Sequence, residues 1–217
     1  MMKKADILAR IQQIGIVPVL RASSAKEALE IAKAIEAGGV PILEVTLTVP
    51  GAIHVIEQLV QHSGNRLLVG AGTVLDAETA RACILAGAQF IVSPALDLPT
   101  IALCRKYSVP VLPGALTPTE IVAAWQAGAD AVKVFPCSAV GGAKYLKAVK
   151  APLPQIDLIP TGGVSLATAA EFLESGAFAL GVGGDLVNNQ AIADGHPEII
   201  TENARKYLAI VQQFRGK

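Results

Sequence analysis

The chain has 217 residues, 52% of them hydrophobic, and its 18 Lys and Arg balance its 18 Asp and Glu. That length predicts one well-buried core in a single domain spanning residues 1–217. With no basic stripe and only 4% aromatic residues, the composition argues against a nucleic-acid partner.

Three cysteines, Cys83, Cys104 and Cys137, form no CxxC pair, which fits reduced thiols in a cytoplasmic protein. The charged start, with Lys3, Lys4 and Asp6, lacks a following apolar block, because Arg10, Gln12 and Gln13 interrupt it. Neither a signal peptide nor a membrane span is expected.

Residues 3–14 predict an amphipathic helix with Ile7, Leu8, Ile11 and Ile14 on one face. An apolar strand over 16–20 ends at Arg21. Ser23 or Ser24 then caps a helix running to Gly38, with Glu27 as the acid of a capping box. The same alternation continues with strands over 42–47, 67–69, 90–92, 109–112, 131–135, 156–159 and 179–182. The helices between them lie at 50–64, 76–87, 98–107, 118–128, 143–150 and 166–175. Gly183-Gly184-Asp185 turns into a short helix, and a final helix covers 198–214. Four helices end in related runs closed by Gly38, Gly87, Gly128 and Gly176, where glycine takes the left-handed conformation. Eight strands alternating with helices predict an α/β fold, a TIM (β/α)8 barrel with an extra N-terminal helix. The competitor is an open doubly wound sheet, whose G-x-G-x-x-G fingerprint after the first strand is missing.

In that barrel the chemistry lies at the C-terminal ends of the strands. Lys133 stands in the middle of the apolar run 131–135, where an unpaired ammonium is costly. Such a lysine tends to lose its proton and become a nucleophile toward carbonyls. In the second strand Leu43, Val45 and Leu47 alternate with Glu44, Thr46 and Thr48, which points Glu44 into the barrel. Strands two and six of eight lie opposite, so Glu44 and Lys133 converge on the axis. A structural ion pair filling the barrel is the plainer alternative.

Arg21, Thr48, Thr73, Ser93 and Thr161 fall at other strand ends. Arg21 suits a substrate carboxylate, and equally a surface position. Gly162-Gly163 and the glycines of 181–184 occupy the loops after strands seven and eight, where barrels of this kind cradle phosphate. His54, His62 and His196 lie on helices or a terminal turn without metal-ligand spacing, so no metal is expected. Cys137 has no histidine base near it in the pattern and reads as structural.

Five runs in this order carry a family resemblance: residues 43–46 (LEVT), 70–75 (GAGTVL), 93–94 (SP), 132–136 (VKVFP) and 160–164 (PTGGV). Together they resemble the 2-keto-3-deoxy-6-phosphogluconate (KDPG) / 4-hydroxy-2-oxoglutarate (KHG) aldolase family over nearly the whole chain. The resemblance implies a class I aldolase, commonly a homotrimer, acting on a keto-acid sugar phosphate without a cofactor. It makes Lys133 the Schiff-base lysine and Glu44 the proton shuttle. Thr73, Pro94, Phe135 and Thr161 become substrate-binding residues, and Gly162, Gly163, Gly183 and Gly184 hold the phosphate. Two departures stand out. Some members carry arginine at the place of Thr48, for which Arg21 is the substitute here. Members often have serine at the place of Gly184, followed by a neutral residue where this chain has Asp185, expected to turn away and cap the following helix. The galactonate epimer (KDPGal) is the alternative substrate. A phosphosugar isomerase using Glu44 as base, and a non-catalytic sugar-phosphate-binding protein, are the rival readings.

Overall fold

The computed structural model describes residues 2–64 and 66–216. In chain order the elements are α1 (Lys4–Ile14), β1 (Ile16–Leu20), α2 (Ala25–Ala37), β2 (Ile42–Thr46), α3 (Ala52–Ser63), β3 (Leu68–Gly72), α4 (Ala77–Leu85), β4 (Phe90–Val92) and α5 (Leu98–Lys106). They continue with β5 (Val111–Leu112), β6 (Gly114–Ala115), α6 (Pro118–Ala127), β7 (Val132–Val134), a 3-10 turn (Cys137–Val140), α7 (Ala143–Lys150), β8 (Leu158–Pro160), α8 (Ala169–Glu174), β9 (Leu180–Val182), α9 (Asn189–Ala193) and α10 (Glu198–Arg215).

All strand pairings are parallel, in the orders β5-β4-β3-β2-β1-β9 and β6-β7-β8. A parallel bridge between Thr161 and Gly181 joins the end of β8 to β9. The fifth stave is expected as one strand over 109–112 and is instead split around Pro113. Proline has no N–H for the ladder, so β5 pairs with β4 while β6 pairs with β7. The Pro113 carbonyl still accepts from Lys133 N–H at 2.9 Å. Counted as staves, the strands close the expected barrel, and β2 and β7 face each other across its axis.

Two further differences from the sequence reading are local. The third strand runs through Gly70 and Gly72, residues expected to lie beyond it. A side chain at Gly70 would meet the Phe90 ring at 2.2 Å, and one at Gly72 would meet Glu44 Oε1 at 1.9 Å. Ladder bonds and shared interior space therefore outweigh glycine's poor strand propensity. After α2, the left-handed residue is Gly39 at φ 86°, whereas Gly38 stays at φ −76°. Gly38 is there for packing, since a Cβ would come 2.5 Å from that of Ala204 on α10. Capping follows the sequence closely: Ser24 Oγ accepts from Glu27 N–H, and Glu27 reaches back to Ser23 N–H at 2.7 Å.

The helices bury one face each, and the buried apolar residues form a connected cluster from Ile7 to Val211. Helix α1 closes the N-terminal end of the barrel. It buries Ile7, Ile11 and Ile14, ties Lys4 to Asp130 just before β7 at 2.7 Å, and bonds through Arg10 to the carbonyls of Pro41 and Arg66. No helix among the described residues is long and apolar enough to cross a membrane.

Candidate active site

The site begins with strand register. Glu44 sits beside Val19 of β1 and Gly70 of β3, and Lys133 sits between Gly114 of β6 and Ile159 of β8. Both side chains point to the axis, because their neighbours along each strand are apolar and face the helices. Lys133 is 5% exposed and Glu44 2%, so neither charge has a route to water of its own. Lys133 Nζ lies 3.7 Å from Glu44 Oε1 and 5.3 Å from the centre of the Phe135 ring. Glu44 Oε1 is buried without a hydrogen-bond partner. A fully paired structural bridge would satisfy that oxygen, since an orphaned buried acceptor costs stability.

Around the pair lies a cavity of about 10 Å³, walled by Val17, Val92, Leu112 and Ile159, which is roughly the room one water needs. Thr161 belongs to its wall and also to a second cavity of about 210 Å³ at the C-terminal mouth. Arg21, Phe135, Gly162, Gly163, Gly183, Gly184 and Asp185 line that mouth. Nine of the twelve catalytic and binding residues singled out in the sequence thus gather around two cavities that share Thr161. Thr48, Thr73 and Pro94 line neither. Thr48 is exposed on the turn after β2, its hydroxyl 2.7 Å from that of Thr46, which donates to Leu20 O. Thr73 is half-buried after β3 at φ 58°, a strained position for a β-branched residue. Pro94 is half-buried, with its carbonyl against Gly114.

The carbonyls of the two glycine loops are taken up by donors within the protein. Gly162 O accepts from Ser138 N–H, Gly163 O from the Thr168 hydroxyl, and Gly183 O from the N–H groups of Leu186 and Val187. In a planar trans peptide the next N–H points the opposite way. That aims the amides of Gly163, Val164 and Gly184 away from these partners. Gly162 and Gly163 hold φ 89° and 78°, a geometry that side chains resist. The guanidinium of Arg21 lies over this rim, 3.6 Å from where a Cβ on Gly183 would stand. Space beside Gly184 is open, so a serine would fit there.

Asp185 stays in the lining of the mouth, where it is expected to turn away, and it does not cap the following helix. Its Oδ1 accepts from Leu166 N–H at 3.0 Å and from the Tyr207 hydroxyl at 2.7 Å, while Asn188 caps α9. The sequence reading overlooked this tether because Asp185, Leu166 and Tyr207 belong to three separate units, and no spacing links them. His54 and His62 lie on α3 and His196 before α10. Cys137 is buried behind the site, with Sγ 3.6 Å from Gly142 O, and burial pushes its thiol up to about 11.

Comparison with known proteins agrees with this geometry. A family model described as KDPG and KHG aldolase matches residues 7–203. The chain is 33% identical over 205 residues to a 2-dehydro-3-deoxy-phosphogluconate aldolase of Treponema pallidum, covering 94% of this chain and 97% of the relative. Among solved structures, one described as "Native KDPGal structure" is 32% identical with a TM-score of 0.85, covering 93% of this chain and 96% of the other. The KDPG aldolase of Legionella pneumophila, with pyruvate captured at low pH as a covalent carbinolamine intermediate, is also 32% identical, with a TM-score of 0.85, covering 92% and 96%. An interior lysine facing a glutamate, below a glycine-lined mouth, is therefore found in a chain that belongs to the KDPG and KHG aldolase family.

Proposed function

We propose that the protein is a class I aldolase that cleaves KDPG to pyruvate and glyceraldehyde 3-phosphate, and also KHG to pyruvate and glyoxylate. The observation that carries this reading is the buried pair, Lys133 Nζ 3.7 Å from Glu44 Oε1, beneath an open mouth. Lys133 Nζ attacks the C2 ketone, and a proton delivered through Glu44 lets the carbinolamine oxygen leave as water, giving an iminium and the Glu44 carboxylate. The iminium accepts the electron pair of the C3–C4 bond as that bond breaks, giving an enamine. Glu44, through a water, takes the C4 hydroxyl proton, so the aldehyde departs neutral at that oxygen. Protonation of the enamine at C3 and hydrolysis release pyruvate and restore the amine.

Arg21 and the N–H groups of Gly163, Val164 and Gly184 meet the substrate's anionic groups. Thr161, shared by both cavities, spans the reacting carbons and the mouth. The carbinolamine reported for the Legionella relative supports the amine route for the family. KDPGal is the second candidate substrate, favoured by the similar KDPGal structure. We also propose a homotrimer, supported by exposed apolar side chains on adjacent units, namely Ile53 (41%), Leu75 (59%) and Leu98 (54%). Light scattering should then give three times the 22.4 kDa chain mass.

The test of the chemistry is borohydride trapping. With pyruvate present, the wild-type chain should gain a stable adduct at Lys133, and Lys133→Ala should gain none. Adduct formation at a comparable rate in Lys133→Ala would overturn the assignment. Pyruvate release measured with KDPG, KDPGal and KHG then ranks the substrates, and isomerisation of a phosphosugar with neither pyruvate release nor an adduct would favour the isomerase reading.

A further inference from the structure

The loops at the mouth come from different staves, and little of the backbone ladder joins them beyond the Thr161–Gly181 bridge. Among the described residues, one side chain bonds across the gap. Asp185 follows Gly183-Gly184, and its Oδ1 accepts both the N–H of Leu166, three residues after Gly163, and the hydroxyl of Tyr207. From α10, Asn203 Nδ2 also donates to the Asp185 carbonyl at 3.1 Å. Tyr207 is fully buried and belongs to the core cluster, so its phenol is a fixed post rather than a mobile surface group. Burial, then the bond and the charge of Asp185, raise the Tyr207 hydroxyl well above its ordinary value, so it remains a donor throughout the working range.

We propose that Asp185 is a positioning residue that clamps the two glycine loops in register for the phosphoryl end of the substrate, with Tyr207 as its anchor. The inference rests on the aldolase reading. It explains why a carboxylate is tolerated beside an anion site. Two donors occupy its Oδ1 and hold it to α10 and the neighbouring loop. It also explains how the rim stays ordered although Gly162, Gly163 and Gly184 supply no side chains to lock it. The clamp acts on the distal group alone, because Lys133 and Glu44 hang from β7 and β2 and share no bond with it.

The test compares Asp185→Ala, Asp185→Asn and Tyr207→Phe with the wild type on the sugar phosphate, KDPG or KDPGal, that the wild type cleaves faster. The control is pyruvate alone, trapped with borohydride, since pyruvate has no distal group. Asp185→Ala is expected to raise KM for the sugar phosphate ~10-fold with kcat and pyruvate half-saturation within ~2-fold, the loss of a charge-assisted contact. Asparagine keeps an Oδ1 able to accept both bonds, so Asp185→Asn should stay within ~3-fold of the wild-type KM. Tyr207→Phe should raise KM by ~3-fold or more, from one lost bond. Equal losses with sugar phosphate and pyruvate, a lowered KM in Asp185→Ala, or failure of asparagine to rescue would each overturn the clamp. If Asp185→Ala does not fold, an unchanged KM in Tyr207→Phe overturns it alone. Failure of the wild type to be trapped with pyruvate would instead overturn the aldolase reading.

Discussion

The two ends of the barrel are built from the same staves and solve opposite problems. At the N-terminal end, side chains reach in and consume carbonyls. Arg10 bonds to Pro41 and Arg66, Arg215 bonds to Gln12 and Gln13, and Lys4 pairs with Asp130. At the C-terminal end, loops built on Gly162, Gly163, Gly183 and Gly184 have their carbonyls taken up by nearby donors and line an open mouth with Arg21. The first end is plugged by Ile7, Ile11 and Ile14, while the second opens into a cavity of about 210 Å³. The difference teaches that stability and chemistry are assigned to opposite ends of one core, as is general for this fold.

Substitutions can break or sharpen that division. The largest effect is expected inside the barrel. Glu44→Gln should lower kcat by ~10²–10⁴-fold while pyruvate is still trapped on Lys133 by borohydride, which steady-state and trapping assays together would read. A chain as active as the wild type would remove Glu44 from the chemistry. Next is Gly72→Ala, whose methyl would need the space of Glu44 Oε1. It should cost ~1–3 kcal/mol in urea unfolding and lower kcat as well, because the strand and the carboxylate cannot both keep their places.

At the other end, Ile11→Ala should destabilise by ~2–5 kcal/mol, since Ile11 is fully buried, with kcat/KM unchanged for the folded protein. A matching loss of kcat/KM would show that the two ends are coupled. Lys4→Met breaks a largely buried bridge, its partners 28% and 12% exposed, and should cost ~1–3 kcal/mol by thermal denaturation.

The smallest signal is expected from the three buried thiols. Burial pushes Cys83 and Cys137 up to about 11 and Cys104 up to about 12. All three should stay unlabelled by a thiol-specific disulfide reagent at pH 8 until the protein is unfolded. Their raised folded values mean that stability is intact below the ordinary thiol value of 9.0 and falls as pH climbs from there toward 11 and 12, because the unfolded chain loses its protons first. Rapid labelling of the native protein would contradict the burial.

Much of the site could be read directly. The parity of residues 43–47 aimed Glu44 inward, an apolar run around Lys133 marked it as buried, and counting strands put the two opposite each other. These are local rules, periodicity within a strand and alternation along the chain, and the barrel only had to close to satisfy them. The glycines of the mouth were legible for the same reason, since their places follow from strand number.

What only the tertiary structure decided depends on contacts between distant segments. That Pro113 divides a stave, that Gly70 and Gly72 are strand residues making room for Phe90 and Glu44, and that Gly38 serves packing rather than a turn all follow from which neighbour occupies a shared volume. Asp185 is the clearest case. Its sequence neighbourhood suggested a helix cap, yet its donors come from Leu166 and from Tyr207 on the last helix. Backbone preference and side-chain period act over a few residues and so are written in the chain. The partner of a buried polar atom is set by which elements the closed barrel brings together, and no local pattern encodes it.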